Sequence, residues 1–472
     1  MSAGRQILKN AGALTLARGV TAVLTLVTTV YLAQVLEPDR YGILNWGLAF
    51  LAYFSFAADL GLNVYGTREV ARDTGRAEGL VGHVLMLRLG VALVLFGVYA
   101  SVLWLLPKSP LFKLVVLVQG LTLFANVIGL GWVYHGQQRL GIVALRNVVA
   151  SVVTLAGVFA LVRAPEDVVM AAAVSVAAVV LPNAWLMVTY VSEAGWPRLQ
   201  VDTRAWRGIL TSSLPIAASL FLITVNTNLD QLMLGVLRTD QEVGWYAAGY
   251  RLLTAALIPS QIVFQAFLPA LSSALGNDDE MQTRPRAYAL SMFALGFPIA
   301  AGGLLLAPDL VALLFGAEYA PVSWPLTILF GAAALMYINV TLGGVLLAWN
   351  RQRIHSGALA VGAACNVVLN LTLIPRFGIE GAAVATLASE GVVSFALTVI
   401  YYRFTKQSHL RAGLRALLIA VVGVALPILA TKSIGWPVLA ILPMTGITYG
   451  AALFLFRAVD PALLRALRRG PA

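Results

Sequence analysis

Apolar positions run along this chain in unbroken blocks of about 19 to 29 residues, each closed by charged residues or by Pro and Gly. Strict alternation is absent from these blocks, and a block of that length crosses a bilayer as one helix. Fourteen membrane-spanning helices are predicted, the first six at 11–36, 43–65, 80–106, 111–134, 143–162 and 168–191. A polar stretch with Arg198, Arg204 and Arg207 follows. Eight more spans are then predicted at 209–237, 243–270, 287–315, 322–348, 356–374, 379–402, 412–431 and 436–456. The fold class is an all-α polytopic membrane protein.

Composition agrees with that pattern. Of 472 residues, 60% are hydrophobic and 11% charged, with mean hydropathy +0.85, whereas about a quarter of a soluble domain is charged. The first block has the basic flank of a signal peptide in Arg5 and Lys9, but it is too long and carries Arg18 inside, so it reads as a retained helix. The lone Cys365 lies in an apolar run, forms no intrachain disulfide and reads as packing. Basic residues in the predicted loops are strongly asymmetric: 22 of the 32 Lys and Arg fall on the N-terminal side of the membrane, 7 on the other, and the rest within spans. Positive residues are retained in the cytoplasm, which puts both termini there. This topological signal accounts for most of the net charge of +11, so no nucleic-acid partner is implied.

The chain also matches itself. LAQVLEPDRYGILNWGLAFL aligns with LGVLRTDQEVGWYAAGYRLL, placing Gly42 on Gly244. Val35-Leu36 aligns with Val236-Leu237, Gln138-Arg139 with Gln352-Arg353, and Ala172-Ala173-Val174 with Ala382-Ala383-Val384, so that the offsets run from 201 to 214 residues. An even number of spans per unit makes the repeat parallel. The expected organisation is an N-lobe at 1–195, a C-lobe at 196–405 and two C-terminal helices at 406–472. Transporters built this way bind substrate near the midplane between their halves.

LEPDRYGILN, ADLGLNVYGTREVA, WVYHGQQR, LDQLMLG, VGWYAAGYRLL and LFGAEYAPVSWPLTIL stand in this order along the chain. In them, and across nearly its whole length, the chain resembles the polysaccharide flippase (Wzx-type) branch of the multidrug/oligosaccharidyl-lipid/polysaccharide exporter superfamily. The resemblance implies two six-helix lobes around a V-shaped central cavity, two further helices, and alternating access. It implies a bacterial cytoplasmic-membrane flippase for polyprenyl-diphosphate-linked oligosaccharide in O-antigen or other surface-polysaccharide synthesis, with membrane lipids and a polysaccharide polymerase as partners. Lipid II flippases of the same superfamily also place arginines in the cavity, so that substrate stays open.

Ionisable groups inside a span are expensive and are candidates for function. Arg18 lies about 10 Å inside one end of the first span, and Arg251 about 12 Å inside the opposite end of the span at 243–270. Arg88 occupies the cytoplasmic half of the third. Polar residues follow them at helical spacing: Thr15, Thr25 and Thr29 beside Arg18, Thr254, Gln261 and Gln265 beside Arg251, Ser219, Asn226 and Asp230 at 209–237, and Ser55, Asp59 and Asn63 at 43–65. Arginine offers a permanent charge and a planar fork for phosphate oxygens. Arg18, Arg88 and Arg251, with Asn226, Gln261 and Thr25, are therefore expected to hold the diphosphate and sugar. Asp59, Asp230 and Glu390 are candidates for pairing with the arginines or for cation coupling, and Asp59 has a bland alternative in an interfacial pair with Arg68. His83, His135, His355 and His409 lie near predicted cytoplasmic loops without ligand spacing and read as solvated, so no metal is expected.

No phosphate-cradling glycine loop occurs, so ATP is not the direct energy source, and no cofactor is expected. Moving roughly two negative charges outward gains about 4.6 kcal/mol from a 100 mV inside-negative potential. A cation-coupled multidrug exporter of the same superfamily is the alternative within transport, though its cavity would be acidic and aromatic. A polyprenyl-linked glycosyltransferase or polymerase needs an acidic cluster on a sizeable loop, and the loops here reach only about 14 to 17 residues. The chain is therefore not expected to be an enzyme.

Overall fold

Proline and glycine decide where the long apolar blocks bend. The computed structural model describes residues 3–407 and 410–456, with side chains described outside 3–16, 76–77, 215–216, 218–220, 222–223, 226 and 410–411. Helix α1 (Ala3–Asp59) carries two predicted spans joined at a kink, where Glu37 takes φ 58° and ψ 165°. Pro38 lacks a backbone N–H and pushes its predecessor out of the helical region, so the break falls at the loop expected from the sequence. Helix α13 (Gln352–Thr405) joins two predicted spans in the same way, with Gly378 at φ 55° just after Pro375.

Two other predicted spans are interrupted where no loop was expected. The span at 43–65 stops at Asp59, turns through Leu60 (φ 46°) and Gly61 (φ 76°), and resumes as α2 (Leu62–Arg72). Gly61 takes the left-handed conformation without the Cβ penalty that Leu60 must bear beside it. The span at 111–134 divides into α4 (Pro110–Gly120), α5 (Thr122–Val127) and α6 (Gly131–Gly136), with the sharper break at 128–130. The other helices follow the apolar blocks closely: α3 (Arg76–Leu105), α7 (Leu140–Leu161), α8 (Val168–Ala194), α9 (Thr203–Leu237), α10 (Asp240–Ser273), α11 (Asp278–Leu314) and α12 (Ser323–Ala348). The last predicted pair appears as α14 (Leu410–Ala420), a π turn at Val421–Ala425, α15 (Leu426–Ser433) and α16 (Val438–Leu455). Eleven helices of the described residues are long and apolar enough to cross a membrane, and no strand occurs among those residues. The chain is a multi-pass membrane protein.

Two compact units divide at Ala247–Ala248, inside α10. In the first, α9 packs on α1, α2 and α3, and α7 on α1 and α8. Its centre is aromatic. Trp46, Tyr99 and Phe112 are fully buried, and Trp46 Nε1 donates to Leu232 O at 3.1 Å. The two glycines aligned by the internal repeat meet here. A Cβ on Gly42 would lie 1.7 Å from Asp240 O, and one on Gly244 would lie 1.9 Å from Pro38 O, so only glycine permits this approach. Lys108 Nζ closes the same loop pair on Asp240 at 2.6 Å.

The second unit is centred on α12, the most heavily buried of the eleven helices, between α11 and α13. Gly296 admits the ring of Tyr337, and Tyr337 donates to Ala256 O at 2.8 Å. The C-terminal helices pack on α11, where Lys432 Nζ meets Asp309 at 2.6 Å. The reading of the histidines as solvated holds only in part. His83 and His355 are half-buried, the latter against Gly343, because both face helix neighbours rather than loops; His409 lies outside the described residues.

Candidate functional site

The unexpected turn after Asp59 positions the site. Asp59 ends α1 and Asn63 is the second residue of the next helix, so the two flank the interruption, and both side chains reach α3. There Arg88 donates from Nη2 to Asp59 at 2.8 Å and to Asn63 Oδ1 at 2.8 Å. Its Nη1 donates to Gly129 O at 3.0 Å. Gly129 lies in the second interruption, between α5 and α6, where the backbone carbonyl is free of helix bonding and can accept a guanidinium proton. One arginine thus joins two broken helices. Its side chain is 7% exposed and that of Asp59 24%. Removing one partner of so buried a pair leaves an uncompensated charge, which costs about 3–5 kcal/mol.

Around this pair lies a cavity of about 730 Å³ within the first unit, reached also by Ser55, Trp132, His135, Arg146, Asn183 and Thr224. Arg146 donates from Nε and Nη2 to Asn183 Oδ1 at 3.2 and 2.8 Å, and from Nη1 to Asn147 Oδ1 at 3.1 Å. Asn183 is itself buried, and its Nδ2 donates to Ala125 O at 2.9 Å. That bond fixes the amide so that its oxygen faces Arg146. The volume suits a ligand the size of one or two sugar rings.

Among the residues expected from the sequence, the cavity gathers Arg88 and Asp59, so Asp59 pairs with Arg88 rather than with Arg68. Arg18 and Thr25 are exposed on α1 and do not line it. Arg251 is half-buried and Gln261 exposed on the part of α10 that belongs to the second unit. Neither Arg18 nor Arg251 is in an ion pair among the described residues. The side chain of Asn226 lies outside the described residues. Asp230 is buried on α9 and accepts from Tyr246 at 2.7 Å. Glu390 on α13 accepts from Asn339 Nδ2 at 2.6 Å, and Ser394 donates to Asn339 Oδ1 at 2.7 Å.

Arg146, Asn183 and Trp132 escaped the sequence reading. The charge asymmetry treats Arg146 as a loop cation, yet it sits six residues into a helix that starts at Leu140, with a second polar residue, Asn147, beside it. That doublet in an apolar run was the available signal.

Comparison with known proteins places this geometry in a family. A model described as polysaccharide biosynthesis protein matches residues 7–275. A protein of Haloferax volcanii named as a low-salt glycan biosynthesis flippase is 26% identical over 47% of this chain and 43% of its own length. One of Shigella dysenteriae named as an O-antigen transporter is 22% identical over 82% of this chain and 97% of its own. Among solved structures, the lipid II flippase MurJ in an inward closed conformation superposes with TM-score 0.78 at 12% identity, covering 94% of this chain and 98% of that one. An inward-facing multidrug resistance MATE family transporter of the MOP superfamily gives 0.64 at 15%, covering 82% and 96%. The chain has the fold of these transporters, and it belongs to the polysaccharide biosynthesis protein family.

Proposed function

We propose that this protein is a flippase that carries polyprenyl-diphosphate-linked oligosaccharide from the inner to the outer leaflet of a bacterial cytoplasmic membrane, by alternating access and without catalysing a reaction. The observation that carries the reading is the cavity of the first unit, where two guanidinium groups and a wall of amides are set among membrane helices with a single carboxylate among the described lining residues. A hydrophobic cation would gain nothing from such a lining, whereas a sugar offers hydroxyls to the amides and a phosphate or carboxylate to the arginines. The shared fold does not separate glycan flippases from drug exporters, because both superpose. The names of the sequence relatives favour glycan lipids.

Fourteen spans in two parallel six-helix repeats, with two more at the C-terminus, are supported by the kinks at Glu37 and Gly378 and by the 35-residue length of α9. Both termini in the cytoplasm follow from the charge asymmetry. Single cysteines beside Arg139 and Arg351 are expected to label from inside, and ones beside Lys108 and Lys432 from outside. Arg18 and Arg251 are proposed as phosphate contacts, each on a polar helix face left exposed by its own unit. The deciding experiment is purification of the chain followed by mass spectrometry of co-bound lipid and translocation of that lipid in proteoliposomes. Recovery of a polyprenyl diphosphate glycan supports the reading; drug-driven cation exchange with no glycan lipid movement overturns it.

A further inference from the structure

The two arginines of the cavity are not equivalent. Arg88 is neutralised by Asp59 at 2.8 Å, whereas every described side-chain partner of Arg146 is a neutral amide oxygen, from Asn183 and Asn147. His135 is the other titratable group on the lining, and an imidazole is either neutral or cationic, so it adds no negative charge. The lining therefore carries one positive charge more than its carboxylate cancels. A cation held beside a membrane interior calls for a counter-anion, and the amides hold this one in place without supplying it.

The orientation is built. Asn183 is 2% exposed and spends its donor on Ala125 O, so the oxygen turned to Arg146 cannot be exchanged for the NH₂ end without breaking a buried bond. Those contacts fix the guanidinium plane at the cavity wall, against the tendency of a long side chain to snorkel away. Asn63 and Asn126 add amides on the neighbouring wall, and the ring of Trp132 adds an apolar one.

We propose that Arg146 anchors an anionic sugar: a hexose-sized ring bearing a carboxylate or phosphate, its charge on Arg146 and its hydroxyls on the amides. This deepens the flippase reading and rests on it for the identity of the cargo. Arg146 is thus a specificity-determining residue, separating acidic from neutral glycans.

The test is equilibrium binding to the full chain in lipid nanodiscs, followed by calorimetry and by tryptophan fluorescence. The probes are glucuronate, N-acetylglucosamine 1-phosphate, N-acetylglucosamine and inorganic phosphate. At least one anionic sugar is expected to bind ten-fold or more tighter than the neutral sugar and than inorganic phosphate, and to weaken with salt. Which of the two binds tells a uronate from a sugar phosphate. Arg146→Gln is expected to abolish that preference while the melting temperature stays within a few degrees. Arg146→Lys keeps the charge but loses the fork, and should retain part of the preference. Equal binding of neutral and anionic sugars, inorganic phosphate as tight as either sugar, or an unchanged preference in Arg146→Gln overturns the proposal. Translocation is scored separately: anionic-sugar binding without glycan-lipid movement leaves this site standing and removes the flippase reading.

Discussion

In the unit up to Ala247, Arg88 and Asp59 meet where helices are interrupted; in the unit from Ala248, Asn339 and Glu390 meet between stretches of helix that run on. Arg88 reaches a carbonyl left open at Gly129 and a carboxylate at the edge of the Leu60–Gly61 turn. Asn339 and Glu390 instead sit mid-helix on α12 and α13, where the main-chain carbonyls are already engaged, and the side chains mostly satisfy one another, with Asn339 also reaching Glu390 O at 3.2 Å. Interruption supplies acceptors and space, so a cation can be held beside a cavity. Continuity supplies neither, and the polar group becomes part of the packing.

The largest expected effect breaks the first arrangement. Arg88→Ala should remove translocation and lower stability by about 3–5 kcal/mol, because Asp59 is left charged and unpaired. Arg88→Ala with Asp59→Ala should recover part of that stability in thermal unfolding in detergent. A double variant no more stable than the single one would show that the pair is not the unit of cost.

Close packing gives the next effect, and it sharpens the contrast between units. Gly296→Ala would set a Cβ 2.2 Å from Tyr337 Cγ, and Gly66→Ala one 2.4 Å from Trp132 Cε3. Both should destabilise by about 1–3 kcal/mol. Only Gly66→Ala, by moving a cavity wall, should also change sugar binding.

Arg18→Ala and Arg251→Ala should cut translocation in proteoliposomes with little change in melting temperature, since neither arginine is in an ion pair among the described residues. Lysine at either position tells a bidentate contact from a simple field. Wild-type rates in both alanine variants would withdraw these two residues from the mechanism.

The smallest effect is expected from Glu390→Gln and Asp230→Asn, which keep an acceptor oxygen for Asn339 and Tyr246. Stability should move by about 1 kcal/mol or less. If ion coupling passes through either acid, the variant will lose its response to an ionophore that collapses the ion gradient; normal transport and an unaltered response would remove ion antiport.

Much of the fold was legible because bilayer length and apolar composition are local properties of the sequence. Pro38 and Pro375 marked two breaks in the same local way. The turn at Leu60–Gly61 was not legible, since a lone glycine in an apolar run is tolerated by helices as often as it ends them. Arg88 and Asp59 both stood out as charges inside spans, and pairing of Asp59 with an arginine was expected, but which arginine it meets was not legible. Asp59 lies 29 residues away, and only the packing of α1 against α3 brings them together. Arg146 was hidden by proximity to a helix end, where loop and membrane cations look alike in sequence.

The contact between Gly42 and Gly244 bears on the history of the molecule. Two positions that the proposed repeat makes equivalent touch each other here, as equivalent positions do at the axis of a symmetric dimer. Neither glycine has a smaller residue to retreat to, so a larger side chain on one side cannot be accommodated by trimming the other. The contact should therefore resist drift in any descendant that keeps the two loops paired.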